Sequence, residues 1–347
     1  MARQRIAVLY EIWWSEEEPE PQRTRKKRKS HSRKKEVHEE VYETLRKLGY
    51  QPFYQVLDGE PESLLKLGSL DASLIFNLTE SYAGDDTKDM NIAAYLDLLG
   101  KPYTGSSAHA LHLAQDKALA KKVLGFHGIR TPYFAVSYRG KTGWADDISF
   151  PLIVKPQSED GSIGIDTGSV VRTVKELMER IDYIHSRFDS AALIEEYIEG
   201  REIYAAVVGN VRPEALPLVE LDLSRVPESI PKIAGTEVKW LRETKLYRVT
   251  KPFFPEDIPP ETEKRLKETA VAAYQALKCR DYARVDMRLR EDGTVHVLEV
   301  NPNPWLVSFA EFSMAWKRTG RSYAGLIQQI VNMAFARYAE PTPVHVA

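Results

Sequence analysis

The stretch YARVDMRLREDGTVHVLEVNPNPW, residues 282–305, decides the fold of this chain. Apolar and polar residues alternate in YARVDMRL and in VHVLEVN, as they do in β-strands whose two faces have different surroundings. The Asp-Gly pair between them is typical of a tight turn, so the sequence predicts an antiparallel hairpin. Strict alternation places Val297, Glu299 and Asn301 on one face of the second strand, and pairing across the turn brings Asp286 close to them.

Asp286, Glu299 and Asn301 together offer three hard oxygen ligands at the end of this hairpin. Mg²⁺ prefers a few carboxylates and leaves positions open for phosphate oxygens, and an arginine, Arg284, lies beside the trio. The alternative is that these are solvent-facing polar residues of an amphipathic hairpin, since a polar face on an antiparallel sheet is ordinary. For the trio as a whole, the prolines that end the strand favour the metal site.

The bulk composition describes a globular protein of more than one domain. The chain has 347 residues, of which 43% are hydrophobic and 28% charged, enough for a sizeable core spread over two or three domains. The sequence has no run of about 20 apolar residues, the length that a membrane span needs, and its first residues lack the features of a signal peptide. We therefore expect a cytoplasmic protein. The single cysteine, Cys279, excludes an internal disulfide and a cysteine metal cluster.

Residues 23–35 form a basic segment within an otherwise acidic chain. They contain nine of the 48 lysine and arginine residues and no acid, whereas the formal net charge of the whole chain is −2. Such a segment could bind nucleic acid or an anionic lipid surface, or act as a targeting signal. A solvated loop, the insert 19–35, is the favoured alternative, because no aromatic residues interleave with the charges and like charges repel. Nucleic acid is therefore not a favoured partner.

The order of the predicted elements divides the chain into three parts. Residues 1–113 predict an α/β unit with a mainly parallel sheet, in the order strand, helix, strand, strand, helix. Residues 114–197 predict a compact α+β unit, preceded by a helical pattern that begins at Ser106. The third part, 198–347, contains the hairpin and a long irregular segment, 222–250, which is typical of a lid.

The sequence GSIG, residues 161–164, follows Lys155 at the end of an apolar strand. The two glycines allow backbone N–H groups to turn toward phosphate oxygens, and the lysine supplies positive charge. The pattern is not a Walker A motif, because the lysine precedes the loop. Taken alone, the loop is an equally good candidate for a simple hairpin turn.

The stretch LIEEYIEGREI, residues 193–203, has a carboxylate at each end of an apolar middle. Glu195 ends one predicted strand and Glu202 begins the next, so the stretch would connect two lobes. Acceptors at both ends suit a nucleoside, one for the adenine amino group and the other for the ribose hydroxyls. The alternative is a charged hinge exposed to water, and Lys117 on the preceding helix could likewise be an ordinary solvated lysine.

Taken together, these segments resemble the ATP-grasp ligases, and most closely the D-alanine–D-alanine ligases. The resemblance covers about residues 70–335 and includes FNLTESYAGDD, LDLLGKPYTGSSAHALHLAQDKALAKKVLGFHGIRTP, FPLIVKP, DGSIGI, LIEEYIEGREI and ARVDMRLREDGTVHVLEVNPNP, in the family's order and spacing. It implies the α/β (α+β) class and a three-lobed ATP-grasp fold. In that fold, an N-terminal α/β parallel-sheet domain precedes two α+β lobes that hold ATP between them.

The resemblance also implies a role for each candidate residue. The residues that would contact ATP are Lys117, Lys155, Gly161, Ser162 and Gly164 at the phosphates, Glu195 and Ile198 at the adenine, and Glu202 at the ribose. Those that would bind two Mg²⁺ or Mn²⁺ ions are Asp286, Glu299 and Asn301. Those that would act in catalysis are Arg284, on the tetrahedral intermediate, and Lys239, on the transferred phosphate.

The chain departs from the family pattern at the positions that bind the amino-acid substrates. Where the family has a glycine-rich segment with a glutamate for the first substrate's amino group, this chain has YEIWWSEEEPE, in which Glu16 lies nearest that position. Trp240 replaces the tyrosine that follows the lid lysine. Trp305 replaces a Gly-Met turn that precedes the residues holding the second substrate's carboxylate. The resemblance therefore implies a different pair of substrates, bulkier or less polar than usual.

These observations predict an ATP-dependent carboxylate–amine ligase that acts on small amino-acid-like substrates through an acyl phosphate. D-Alanyl-D-alanine is one product, and another dipeptide or amino-acid conjugate is an equal alternative. A second class is a catalytically inactive nucleotide-binding protein that uses its basic segment for a partner such as nucleic acid. Retention of the metal trio, Arg284 and both phosphate lysines favours the ligase. Family members are often dimers, so the resemblance also allows a homodimer.

Overall fold

The computed structural model describes residues 4–12, 35–139, 149–159, 161–188, 190–239, 241 and 244–339. The strands in these ranges form three sheets, one in each consecutive part of the chain. In the ranges described, no helix is both long enough and apolar enough to cross a membrane.

The N-terminal part contains the only parallel sheet among the described residues. Its elements are β1 (Arg5–Glu11), α1 (Val37–Lys47), β2 (Gln51–Leu57), α2 (Pro61–Gly68), β3 (Leu74–Asn77) and α3 (Asp89–Leu98), with the strand order β2-β1-β3. The element order predicted from sequence omitted α2 and is wrong at this point. Parallel strands need a crossover connection, and Pro61 at the first helical position, with Leu64 and Leu67 three residues apart, was the overlooked signal.

The central part contains an antiparallel sheet and its flanking helices. Its elements are α4 (Ala108–Gln115), α5 (Lys117–Phe126), β4 (Phe134–Ser137), β5 (Leu152–Pro156), β6 (Val170–Val171), α6 (Val174–Arg187) and β7 (Ala192–Glu196), with the strand order β4-β7-β5-β6. The helical pattern that begins at Ser106 is interrupted at Asp116, whose backbone is extended and whose carboxylate accepts a hydrogen bond from the Leu119 N–H at 2.9 Å. This break makes Lys117 the first residue of a new helix.

The third part contains the largest sheet and the end of the described chain. Its elements are β8 (Arg201–Val208), β9 (Glu214–Ala215), β10 (Val219–Leu221), α7 (Thr236–Lys239), α8 (Lys245–Val249), β11 (Pro252–Phe253), α9 (Pro260–Ala276), β12 (Tyr282–Leu289), β13 (Val295–Asn301), α10 (Glu311–Arg318) and α11 (Tyr323–Ala339). The antiparallel strand order is β11-β10-β8-β12-β13, with β9 beside β8. The segment 222–250 therefore carries two short helices rather than only irregular backbone.

The predicted hairpin is confirmed, because β12 and β13 pair antiparallel with Asp286 opposite Glu299. The predicted assignment of residues to faces is partly wrong. Val297 lies opposite Met287, so Leu298 is an extra residue in β13 and forms a β-bulge. Val297 therefore packs in the apolar core on the side opposite Glu299, although strict alternation placed the two on the same face.

One face of the largest sheet is apolar and packs against α9. Ile203 and Val207 of β8 and Val285 of β12 are fully buried there with Leu266 and Ala270 of the helix. Burying an aliphatic side chain stabilises a fold by roughly 1.5–3 kcal/mol, so this contact fixes which face of the sheet is covered. The opposite face carries polar side chains on β12, whereas Ala206 and Val208 of β8 belong there to the same apolar cluster as Phe312 of α10.

The last helix, α11, packs against the N-terminal part of the chain. Its buried Leu326 and Ile330 belong to the same apolar cluster as Ile6 of β1. The Gln328 side-chain amide donates a hydrogen bond to the Tyr50 hydroxyl at 2.7 Å, and Arg337 donates to the Tyr103 carbonyl at 2.9 Å. The core of the N-terminal lobe is thus completed by residues near the other end of the sequence.

Candidate active site

A row of largely buried polar side chains runs along the face of β12 opposite α9. Tyr282, Arg284, Asp286 and Arg288 alternate along the strand with buried apolar residues and therefore share that face. The six residue steps from the first to the last span roughly 20 Å. The other site residues are arranged beside this row.

Asp286 and Glu299 face each other across the hairpin, and Asn301 lies at its end opposite Arg284. Arg284 donates two hydrogen bonds to Asp286, from Nε at 2.6 Å and from Nη2 at 2.8 Å. The Asn301 Nδ2 atom is buried and has no hydrogen-bond partner among the described residues. A half-turn of the amide exchanges its nitrogen and oxygen, so this buried group can offer its oxygen to a ligand.

The two facing carboxyl groups have shifted pKa values of opposite sign. Burial raises the pKa of Asp286 to about 6, against the effect of Arg284 and with a further increase from Glu299. Burial also acts to raise the pKa of Glu299, but Lys117, Lys239 and Lys155 together lower it to about 2. One carboxylate is therefore held ionised among lysines while its neighbour binds a proton more readily.

The oxygen ligands of this pair suit a magnesium ion that is shared with phosphate. Two carboxylates and one amide are hard oxygen donors, and the described residues contain no cluster of three or more histidine, cysteine, aspartate or glutamate side chains. A cation here would complete its coordination with oxygens from another molecule. Triphosphate oxygens meet this need and also match the surrounding lysines.

Two of the three lysines beside Glu299, Lys117 and Lys155, come from the central part of the chain. Lys117 is buried, and its ammonium group donates a hydrogen bond to the Glu159 carbonyl. Glu159 lies beside residues 161–164, the glycine loop. Lys155 Nζ lies 3.2 Å from Glu195 Oε2, and Lys121 Nζ lies 3.0 Å from Glu195 Oε1. Burial acts to raise the pKa of Glu195, but these two lysines lower it below its usual value. Burial lowers the pKa of Lys121 to about 8.

The glycine loop is held against the segment predicted to be a lid. Ser162, at φ +66°, donates its hydroxyl proton to the Ala234 carbonyl at 2.8 Å, and the Thr236 hydroxyl donates to the Ser162 carbonyl at 2.9 Å. Gly164 has φ +71°, and a Cβ atom there would lie 2.6 Å from Pro156 Cγ. Only glycine fits this position without displacing the neighbouring strand. The loop and the lid segment, which carries Lys239, therefore close the same side of the site.

At the other end of the row, Arg288 holds Glu202. Arg288 Nη2 donates to Glu202 Oε2 at 2.7 Å and to the Lys232 carbonyl at 2.6 Å, and Nη1 donates to the Gly200 carbonyl at 2.8 Å. The Tyr204 hydroxyl donates to the second Glu202 oxygen at 2.9 Å. Glu202 is thus a buried, oriented carboxylate rather than a charged hinge residue exposed to water.

Arg284 lies between Asp286 and Glu311, the first residue of α10. Its guanidinium carbon is 5.1 Å from the centre of the Tyr204 ring, and its Nη1 atom is 3.8 Å from Glu311 Oε2. Tyr282 donates its hydroxyl proton to Asn303 Oδ1 at 3.2 Å, which ties the loop that follows β13 to the row. An arginine so placed can stabilise negative charge that develops beside the metal residues.

The predicted substrate residues are only partly described. Trp305 is half-buried with its ring edge-on to Phe309 at 5.3 Å between centres, whereas Glu16 and Trp240 lie outside the described residues. At the carboxyl end of β1, Glu11 accepts a hydrogen bond from the Glu80 N–H at 3.0 Å. Burial raises the pKa of Glu11.

Electrostatic interactions with Glu299 show that six of the predicted residues come together: Lys117, Lys155, Lys239, Arg284, Asp286 and Glu299. Sequence reasoning missed three others, Lys121, Arg288 and Glu11. The first two had a visible signal, because Lys121 lies one helical turn after Lys117 and Arg288 lies two strand residues after Asp286. Glu11 had none, since it ends an ordinary apolar strand.

Comparisons with known proteins agree with this geometry. The family described as "D-ala D-ala ligase C-terminus" matches residues 134–332. An uncharacterised protein, y4sG, of Sinorhizobium fredii is 36% identical over 267 residues, covering 77% of this chain and 76% of its own length. The D-alanine–D-alanine ligase of Marinomonas sp. is 32% identical over 301 residues, covering 85% of this chain and 89% of its own.

A solved structure has the same fold. The D-alanine–D-alanine ligase of Bacillus anthracis complexed with ATP superposes with a TM-score of 0.74 at 24% identity, covering 97% of this chain and 99% of that one. The expected ATP-grasp fold is therefore confirmed. Together with the sequence matches, it shows that the chain belongs to the D-alanine–D-alanine ligase family of ATP-grasp enzymes.

Proposed function

We propose that the protein is an ATP- and Mg²⁺-dependent carboxylate–amine ligase that forms an acyl phosphate. The observation that carries this proposal is the facing pair Asp286 and Glu299, surrounded by Lys117, Lys155 and Lys239. This arrangement provides metal ligands and phosphate-binding cations at one place, as phosphoryl transfer from ATP requires. Mg²⁺ bound there would offset charge on the phosphates.

The reaction has two steps. An oxygen of the substrate carboxylate attacks the γ-phosphorus of ATP, ADP leaves, and an acyl phosphate results. The amine of the second substrate then attacks the acyl carbon, loses a proton, and expels inorganic phosphate. Arg284 would stabilise the tetrahedral oxyanion, Lys239 would accompany the transferred phosphate, and the loop with the lid segment would exclude water that hydrolyses acyl phosphates.

The nucleoside would bind at the Arg288 end of the row. We propose that Glu202 accepts hydrogen bonds from the ribose hydroxyls, because Arg288 and Tyr204 already orient its carboxylate. The backbone near the buried Ile198 would receive the adenine. Glu195 is better suited to orienting Lys155 than to contacting adenine directly, since lysines approach both of its carboxylate oxygens.

The two substrates are amino acids or similar small molecules. The names of the Marinomonas and Bacillus anthracis relatives give D-alanine as both of their substrates, and D-alanyl-D-alanine is one product we propose here. Another dipeptide is an equal alternative, because this chain departs from the family at three substrate positions. Trp305 replaces the usual turn, Trp240 replaces the tyrosine after Lys239, and Glu16 lies only near the position of the family's substrate-binding glutamate. Glu11, at the end of β1, is an additional carboxylate for a substrate ammonium group.

The test is the release of phosphate and ADP from ATP and Mg²⁺ across a panel of D- and L-amino acids. We expect release to need two substrates and to disappear in Asp286→Ala and Glu299→Ala. Glu291→Ala, which removes an exposed carboxylate from the same hairpin, serves as the matched control and should retain activity. Nucleotide binding without turnover on any pair would contradict the ligase and favour the inactive nucleotide-binding protein.

We also propose a cytoplasmic homodimer, since the reaction consumes ATP and the family often forms dimers. Sedimentation equilibrium of the purified chain tests the dimer directly. A monomer at micromolar concentration would contradict it. The ligase proposal does not depend on this result, because every residue assigned to the site belongs to one chain.

A further inference from the structure

Lys121 is a buried lysine that the proposed mechanism does not use. It lies on α5 one turn after Lys117, and its side chain is 1% exposed. A buried ammonium group is costly unless hydrogen-bond partners and opposite charge surround it. Its contacts therefore indicate what the residue does.

Lys121 joins the central sheet to the metal-bearing hairpin. Its Nζ atom lies 3.0 Å from Glu195 Oε1 at the end of β7 and donates a hydrogen bond to the Leu298 carbonyl at 3.1 Å. Leu298 is the extra residue of the β-bulge, where the ladder between two strands is disrupted. The neighbouring Val297 N–H donates to the Arg130 carbonyl at 2.9 Å, so the bulge is fastened on its outer edge by residues of the central part.

The bulge determines which way Glu299 points. Val297 packs in the apolar core, so strict alternation from it would turn Glu299 into that core as well. The extra residue, Leu298, reverses the alternation and places Glu299 opposite Asp286 on the polar face. Whatever holds the Leu298 carbonyl therefore holds the metal carboxylate in place.

We propose that Lys121 is a positioning residue for the metal site and acts through the Leu298 carbonyl to present Glu299. This inference rests on the metal role proposed above for Glu299. Glu195 pairs with both Lys121 and Lys155. The same buried contacts therefore also set the distance between Lys155, proposed to bind phosphate, and Glu299, proposed to bind the metal. Residues that orient metal ligands typically change metal affinity 10–100-fold when they are replaced.

The test measures Mn²⁺ binding by electron paramagnetic resonance, with the protein saturated by a non-hydrolysable ATP analogue and no amino acid present. We expect Lys121→Met to weaken Mn²⁺ binding by at least about tenfold. Lys122→Met, which removes the exposed neighbouring lysine, is the matched control and should bind Mn²⁺ as the unchanged protein does. Glu195→Gln keeps the bond from Lys121 to Leu298, so its loss of Mn²⁺ affinity should be smaller than that of Lys121→Met.

Three results would overturn this inference. Lys121→Met could lower the melting temperature without changing the Mn²⁺ dissociation constant, which would indicate a purely structural role. Glu195→Gln could show the same deficit as Lys121→Met, which would place the effect at Glu195. Absence of Mn²⁺ binding by the unchanged protein would overturn the metal site as well, whereas Mn²⁺ binding without phosphate release would contradict only the ligase function.

The single variant leaves the Glu195 carboxylate with one lysine fewer and could fail to fold. Circular dichroism detects this outcome. The double variant Lys121→Met with Glu195→Gln removes that carboxylate as well, and Lys155 then keeps Glu299 as its buried counter-charge, so the double variant is measured in place of the single one. We expect the same loss of Mn²⁺ affinity, of about tenfold, and normal affinity in the double variant would overturn the inference.

Discussion

Replacing Arg288 by methionine should be among the most destabilising single changes in the sheet. The side chain is 4% exposed and makes three hydrogen bonds, one of them to the Glu202 carboxylate. Methionine fills much of the same volume without charge, and leaves Glu202 with Tyr204 as its remaining side-chain donor. Removing one partner of a buried ion pair costs about 3–5 kcal/mol, so we expect a loss of that size in the free energy of unfolding.

Urea denaturation followed by tryptophan fluorescence measures this loss, and a matched control lies two residues along the chain. Arg290 Nη1 lies 3.4 Å from Glu196 Oε1, but the two side chains are 43% and 40% exposed. A surface pair contributes at most about 1 kcal/mol, so Arg290→Met should change the free energy of unfolding by no more than that. The same preparations should show a raised KM for ATP only in Arg288→Met, because only that change releases Glu202.

Two outcomes would refute this reasoning. A loss below about 1 kcal/mol in Arg288→Met would show that the pair behaves like a surface pair despite its burial. An equal loss in Arg290→Met would show that burial does not distinguish the two. The double variant Arg288→Met with Glu202→Gln should recover part of the stability, since it leaves no unpaired buried charge, while the KM for ATP stays high.

Four further predictions address the loop, the thiol, the insert and the pocket. Gly164→Ala should raise the KM for ATP at least about tenfold because its Cβ meets a proline ring, whereas Gly128→Ala, with the same φ of +71° and open space around it, should not. Burial raises the pKa of Cys279 to about 12, so the thiol stays protonated up to that pH and a disulfide reagent at pH 8 should label it only after denaturation. Deletion of residues 19–35 should leave turnover intact, and a large loss would refute the solvated loop. Trp305→Gly should change the KM for the second amino acid about tenfold and leave the KM for ATP unchanged, and an effect on ATP alone would contradict its placement.

Sequence reasoning predicted the hairpin correctly because its signals are local. The Asp-Gly turn and the alternation around Asp286 identify two paired strands without reference to the rest of the chain. The bulge at Leu298 could not be predicted in this way, since the run VHVLEV gives no sign of an extra residue. Its cause lies in contacts with Lys121 and Arg130, which are about 170 residues away in sequence.

The site shows the same division between local and distant causes. One short hairpin carries Arg284 and the proposed metal ligands Asp286, Glu299 and Asn301, so their proximity follows from strand geometry alone. Lys117, Lys155 and Lys239 come from three other segments, and only the family resemblance predicted that they meet. The exposure of Glu202 was open to two interpretations because its burial depends on Arg288 and Tyr204, whose orientation is set by the assembled sheet.

The packing of α11 on the N-terminal lobe has a consequence for synthesis on the ribosome. Ile6 and Val8 leave the ribosome early, but Leu326 and Ile330, which belong to the same apolar cluster, are made more than 300 residues later. Domains that are complete early usually fold first during translation. Here one face of the parallel sheet gains its full cover only when α11 has emerged, so we expect the N-terminal lobe to reach its full stability late in synthesis. The central sheet can pack earlier, because its apolar cluster contains only residues of the central part.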